Sequence, residues 1–170
     1  MLENACKNAG LDKNYWKIDF PNGGIDVVDY FLDQADQQML TSMDRSNLRT
    51  HEKIRAAIKA RLEANTQYKK QIESMLGTLA LHPVRATKMT YRTVDNIWRL
   101  AGDTATDWNF YSKRLLLAGV YTSTLLFWLS DKSADQKETW EFLDKRLAEV
   151  GKFGKGISQV KKIFARQSTN

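Results

Sequence analysis

From Ile25 onward the apolar residues fall at steps of three and four. Ile25, Val28, Leu32, Ala35, Met39 and Met43 share one face of a helix that the pattern ends near residues 44–47. Ile54, Ile58 and Leu62 make the next stripe, with Arg55, Lys59, Arg61 and Glu63 off it. Tyr68, Ile72, Met75, Leu76 and Leu79 follow, until Leu81-His82-Pro83 breaks the helix, because a residue before proline is pushed out of helical geometry. Residues 84–101 are predicted helical again. Their shared face of Thr87, Thr90, Tyr91, Val94, Ile97, Trp98 and Ala101 is half polar. A polar turn over 102–107, with Thr106 as N-cap, leads into a helix from about Trp108 to Leu129. Ser133 and Gln136 have capping-box spacing and open a last body helix with Trp140, Leu143, Leu147 and Val150 inward. Two shorter pieces, 2–9 and 13–20, flank Gly10 at the start. No stretch alternates as a strand would, so the expected class is all-α.

Composition agrees with that class. Among 170 residues, two prolines and nine glycines leave room for long uninterrupted helices. Apolar residues at 42% and charged residues at 27% suit a folded chain with a real core. The net charge of +6 is uneven: residues 1–50 balance at −3 and residues 51–170 at +9. The basic end points to an anionic partner such as a phospholipid surface. The longest near-apolar run, Leu115–Leu129, has 15 residues and includes Tyr121, Thr122, Ser123 and Thr124, too short and too polar to span a bilayer. The start shows neither a secretory signal nor an Arg-rich transit peptide.

Several chemistries are expected to be absent. One cysteine, Cys6, and two histidines, His51 and His82, cannot build a Cys zinc cage or a His-rich metal site. A helical di-iron centre needs two Glu-x-x-His pairs, and Leu48 and Leu79 stand three residues before the histidines. There is no nucleophile elbow, Walker loop or dinucleotide fingerprint. The expectation is therefore a chain that is not an enzyme and uses no cofactor or metal. The pieces 2–9 and 13–20 look like a helix-turn-helix. However, residues 11–20 set Lys13 and Lys17 against Asp12 and Asp19, and phosphate contacts supply most of the affinity for DNA. No nucleic-acid partner is expected.

Two features suggest lipid instead. The helices 84–101 and 108–129 mix aromatic, Met and hydroxyl side chains. Ordinary core packing explains many of these positions. An apolar cavity with a few orienting polar groups explains them too, with Met89, Trp98, Leu116, Val120, Tyr121 and Leu125 as its lining. The tail 152–166 holds five bases and no acid. Phe153, Ile157, Val160 and Phe164 fall in one arc, and Lys155, Lys162 and Arg166 project away from it. Lys152, Phe153, Lys155, Ile157, Val160, Lys161, Lys162 and Phe164 are the expected membrane contacts. The alternative is a helix docked on the body with a solvated basic face.

The stretch Ala101-Gly102-Asp103, Thr106-Asp107, Asn109, Tyr111 and Arg114 resembles the signature of the Coq-nine family, lipid-binding accessory proteins of ubiquinone biosynthesis. The likeness continues through Leu117–Tyr121, Trp128–Asp131 and Thr139–Arg146, is strong from about 87 to 150, and is weaker outside. Trp108 and Phe110 stand where the family more often has Phe and then Trp, so an aromatic is kept at both. The first helix of a TetR-like domain has no counterpart before residue 2.

The resemblance implies a TetR-like helical domain with an incomplete N-terminal helix-turn-helix and a C-terminal amphipathic helix. It divides the chain into a degenerate helix-turn-helix-like region at 1–46, a lipid-binding body at 47–151 and a basic tail at 152–170. It implies a homodimer that binds isoprenoid or other long-chain lipid at the membrane and presents a precursor to the di-iron demethoxyubiquinone hydroxylase. Partner contact would fall by position on Asp95, Ile97, Asp107, Phe110, Tyr111 and Arg114. The place implied is peripheral at the inner membrane, on the cytoplasmic face in a bacterium or the matrix side in a mitochondrion. A TetR-like ligand-sensing DNA regulator, a non-catalytic scaffold and a lipid-handling enzyme are the competing functions.

Overall fold

A computed structural model describes residues 2–43, 48–103 and 108–151, with the side chains of Trp108 and Asn109 left aside. Every regular element among them is helical: α1 (Leu2–Asn8), α2 (Trp16–Asp19), α3 (Gly24–Ser42), α4 (Thr50–Glu63), α5 (Lys69–Ala80), α6 (Pro83–Leu100), α7 (Trp108–Ser130) and α8 (137–151). The tail at 152–170, with all its expected membrane contacts, lies outside the described residues. So do Asp107 and the cap expected of Thr106.

α6 and α7 form the central pair, with α3 and α4 crossing α6 and α5 packed along α3 and α6. The main core joins Met39 of α3, Ile58 and Leu62 of α4, Val94 and Ile97 of α6, Val120 and Trp128 of α7, and Leu143 of α8. These are the stripes the periodicity picks out. A smaller cluster of Ile25, Val28 and Met89 packs with Leu32, Met75 and Leu79 between α3, α5 and α6. Through Met39, α3 helps build the core of the body, although it belongs in sequence to the first 46 residues.

Arginines of α4 and α6 bridge to aspartates of α3, most closely in three pairs. Arg85 meets Asp26 at 2.6 Å, Arg92 meets Asp29 at 2.8 Å and Arg61 meets Asp36 at 2.7 Å. The acids of the negative first 50 residues thus pair with bases from the positive remainder. At the other end, α8 is held by Arg55 to Asp144, by the stacked rings of Phe127 and Phe142 at 4.6 Å, and by Leu143 in the core.

The element ends correct the sequence reading in two places. The helix expected over 13–20 contracts to four residues, because the Asp12 carboxylate accepts from the Asn14 backbone N–H and stabilises a turn there. The box expected of Ser133 and Gln136 does not form. Asp135 and Gln136 adopt positive φ (52° and 55°), so the helix proper starts at 137. Two side chains share the cap instead: the Ser133 hydroxyl accepts from the Glu138 backbone N–H at 3.2 Å, and Asp131 accepts from the Thr139 backbone N–H at 2.9 Å and from the Thr139 hydroxyl. Gln136 turns away, accepting from Trp128 Nε1 and donating to Thr66.

Candidate ligand cavity and partner surface

The C-terminus of α6 places the signature residues. Gly102 has φ +86°, a conformation that side chains with a Cβ disfavour. The Asp103 N–H reaches back to the Trp98 carbonyl and the Gly102 N–H to that of Arg99, the paired bonds of a Schellman stop. This stop aims Asp103 at α7, where it accepts from Lys113 at 2.8 Å and Arg114 at 3.2 Å. Arg114 also donates to Asp95 at 2.7 Å and lies over the Phe110 ring. Gly102, Asp103 and Arg114 of the signature therefore form one device that locks the end of α6 to the start of α7.

That arrangement separates the residues assigned to partner contact. Arg114 is 3% exposed and Ile97 is fully buried, so both support the surface from beneath. They are not the exposed contacts that the resemblance implies, because Arg114 is consumed by two internal carboxylates and Ile97 by the core. Asp95 and Phe110 are half-buried. Tyr111 is 63% exposed and Leu115, one turn on, is 77% exposed. With Tyr91, Thr87 and Ala118 they line a groove of about 510 Å³ between α6 and α7.

Beside this groove lies a cavity of about 400 Å³ whose walls come from α5, α6 and α7, with Leu32 of α3 and Arg61 of α4. Ile72, Met75, Leu76, Leu79, Met89 and Leu125 make most of its surface apolar. Thr87 and Thr122 are exposed near its rim, whereas Arg61, Thr93 and Tyr121 are buried at its deep end. Cavity and groove share Ala86, Thr87 and Thr90, so they meet along one stretch of α6. Of the six expected lining residues, Met89, Tyr121 and Leu125 come together here. Trp98, Leu116 and Val120 line a different pocket of about 340 Å³ between α4, α6, α7 and α8, with Ile54, Leu147 and Val150.

The deep end is a polar cluster that sequence reading missed. Arg61 Nε donates to Asp36 Oδ1 at 2.7 Å and Arg61 Nη1 donates to the Tyr121 hydroxyl. The Thr93 hydroxyl donates to Asp36 at 2.9 Å. Burial opposes the Arg61 charge, but Tyr121 and Asp36 outweigh it and hold its pKa above the ordinary value. Burial, with Asp36, pushes the Tyr121 pKa up in spite of Arg61, so the phenol stays protonated. A signal for this cluster exists in the sequence: Asp36 stands four residues after Leu32 and three before Met39, a carboxylate on an apolar stripe. Arg61 follows Ala57 by four and Ile58 by three, which puts it on the buried side and not off the stripe.

α2 has four residues, and Cys6 of α1 is buried as a small apolar side chain. His51 and His82 are both exposed. No helix among the described residues is long and apolar enough to cross a membrane.

The comparisons agree with this architecture. A family model described as COQ9 matches residues 84–154. The ubiquinone biosynthesis protein COQ9-B, mitochondrial, of Xenopus laevis is 35% identical over 153 residues, covering 83% of this chain and 52% of that protein. The human protein named COQ9, mitochondrial, is 29% identical over 84% of this chain and 48% of its own length. The chain thus spans about half the length of the curated relatives it matches. A TetR transcriptional regulator from Nitrosomonas europaea superposes with a TM-score of 0.71 at 21% identity, over 88% of this chain and 84% of that one, so the helical fold is TetR-like. Matched through the α6–α7 device and along most of its length, this chain belongs to the COQ9 family.

Proposed function

We propose that the chain is a lipid-binding accessory protein of ubiquinone biosynthesis, which takes an isoprenoid precursor from the membrane and presents it to the demethoxyubiquinone hydroxylase. The observation that carries this reading is the continuity of the apolar cavity with the groove under Tyr111 and Leu115. A ligand held among Ile72, Met75, Leu79 and Leu125 has a path along Ala86, Thr87 and Thr90 to the exposed aromatic. The volume and apolar lining suit a long-chain ligand that is only partly enclosed. An exposed Tyr beside an exposed Leu, on a helix end fixed by two ion pairs, is the composition and rigidity of an interface anchor. The relatives' names supply the pathway and their mitochondrial setting. Membrane attachment rests on the sequence of 152–166, and the homodimer rests on the resemblance.

The test is hydroxylase turnover of demethoxyubiquinone held in vesicles, with and without this chain. The intact chain is expected to stimulate turnover. Leu125→Trp, which fills the cavity, and Tyr111→Ala, which strips the groove, should each lose most of that stimulation while remaining folded. Full stimulation by folded Leu125→Trp contradicts the reading. The reading as a DNA regulator has no comparable support, since a four-residue α2 is too short to place a row of side chains along the major groove.

A further inference from the structure

The pocket of about 340 Å³ between α4, α6, α7 and α8 has no part in the carrier reading. Its walls are mostly aliphatic, and Leu116, Leu147 and Val150 among them are only half-buried. Its polar groups are poorly suited to orienting a small ligand. Trp98 Nε1 donates to the Lys113 carbonyl, and the Lys113 ammonium is paired with Asp103 at 2.8 Å. His51 is exposed at the edge, and no carboxylate is among the lining residues. The end of α8 forms one wall. Val150 and Gly151 line the pocket, and Gly151 is the last described residue, so the described body ends at the pocket itself. Phe153 follows two residues on, a reach of at most about 7 Å along the chain. Gly154 and Gly156 permit the backbone conformations that a reversal needs, and Ile157, Val160 and Phe164 continue the apolar arc that Phe153 begins.

We propose that this pocket is a docking site for the tail of the same chain: Phe153, with Ile157 behind it, inserts between α7 and α8, and the tail is held there until an anionic membrane surface takes it. The release rests on the membrane reading of 152–166, because the side chains that enter the pocket are among those that would enter a bilayer. The two positions therefore exclude each other. Tethering supports the docked one. A two-residue connection presents Phe153 to the pocket at an effective concentration on the order of millimolar, so a modest apolar contact is enough to hold it. Burial of the same ring is favourable in the pocket and in the bilayer alike, so apolar transfer does not choose between them. Charge does. The pocket has no carboxylate to meet Lys152 or Lys155, whereas an anionic leaflet attracts all five bases of the tail. The pocket accordingly keeps the tail in water or before a neutral surface, and an anionic surface draws it out.

A single fluorine reporter tests both steps. 4-Fluorophenylalanine is placed at position 153 of the intact chain, and its fluorine-19 resonance is compared with that of the same residue in the free peptide 152–170. In water the resonance is expected away from the peptide position, and Leu116→Trp, which fills the pocket, should return it there. In titration with phosphatidylglycerol vesicles, Leu116→Trp should bind about three- to tenfold more tightly than the wild type, because no docked state has to be given up. Phosphatidylcholine vesicles should leave the wild-type resonance in place. A wild-type resonance at the peptide position, or one that folded Leu116→Trp does not move, overturns the docking. Equal vesicle affinity of the two chains, or release by phosphatidylcholine as readily as by phosphatidylglycerol, overturns the competition. A displaced resonance with no binding of either chain to phosphatidylglycerol leaves the docking standing and refutes the membrane reading. Should Leu116→Trp not fold, Val150→Lys takes its place. It sets a charge in the pocket wall at a helix C-terminus that tolerates a base, and it should release the fluorine in the same way; a resonance it leaves unmoved overturns the docking.

Discussion

Asp36 and Arg61 have both left water, and each persists because its partners are in place. A guanidinium and a carboxylate in a nearly dry interior cost several kcal/mol to desolvate, and only close, multiply bonded geometry offsets that. Here Thr93 and Tyr121 complete the set. Removing one member is accordingly expensive: Arg61→Ala should lower stability by about 3–5 kcal/mol, because it strands the Asp36 charge. Chemical denaturation measures this. The double variant Asp36→Leu with Arg61→Met should recover most of the loss, since it removes both charges and refills the volume. An unchanged midpoint for Arg61→Ala would mean that the pair is not buried as described. At this scale the sequence was partly legible. Asp36 interrupts an apolar stripe, which betrays a buried carboxylate. Its partner is hidden, because the neighbours of Arg61 on the buried face include the small Ala57, which widens the stripe without marking it. Which of several arginines meets Asp36 depends on how α3 crosses α4, and no local pattern encodes that.

The long helices followed directly from periodicity because each buries one face against a shared core, and their stripes are the residues that the core contains. Boundaries were harder, because they are decided by single side chains competing for backbone N–H groups. The start of α8 is the clearest example. Ser133 has the right type for a cap and accepts from the Glu138 N–H, yet the reciprocal partner expected of Gln136 is replaced by Asp131, which folds the turn back on itself and takes the Thr139 N–H. Burial raises the Asp131 pKa, but hydrogen bonds from Thr139 and Ser133 outweigh it and bring it to about 2, below its ordinary 3.8. A depressed carboxylate contributes its stabilisation above its unfolded value and loses it as pH falls through its folded value. Melting temperature should therefore decline between about pH 4 and pH 2, and Asp131→Asn should flatten that decline while lowering the melting temperature at pH 7. A pH profile identical in wild type and variant would remove Asp131 from the account of how α8 is capped. α4 carries a similar device, with the Glu52 carboxylate accepting from the Arg49 backbone N–H and held at about 2 by Arg49.

Across the whole molecule, part of the uneven charge of the sequence is an internal pairing of α3 acids with arginines of α4 and α6. This could not be read from a running total of charges, because it needs the crossing of three helices. The candidate lining residues were half legible for a related reason. Faces of mixed aromatic and hydroxyl character on α6 and α7 mark space between helices, but which neighbour closes that space divides them. α5 closes it around Met89, Tyr121 and Leu125, whereas α8 closes it around Trp98, Leu116 and Val120. The partner surface divides in the same way. Tyr111→Ala should abolish hydroxylase binding with little change in melting temperature, because its ring is exposed. Arg114→Ala should loosen the α6–α7 junction and lower the melting temperature, because it removes the buried cation that bridges Asp95 and Asp103 and leaves them to Arg99 and Lys113 nearer the surface. Loss of stability in Tyr111→Ala equal to that in Arg114→Ala would make Tyr111 a structural residue and not a contact.

The central claim is that the cavity between α5, α6 and α7 holds a lipid. It is tested most directly by purifying the intact chain without added lipid, extracting what it carries, and identifying that by mass spectrometry, side by side with folded Leu125→Trp. The account predicts a stoichiometric long-chain lipid on the wild type, with an isoprenoid among its occupants, and little or none on the filled variant. No bound lipid on the wild type, or the same lipid at the same stoichiometry on Leu125→Trp, would contradict it.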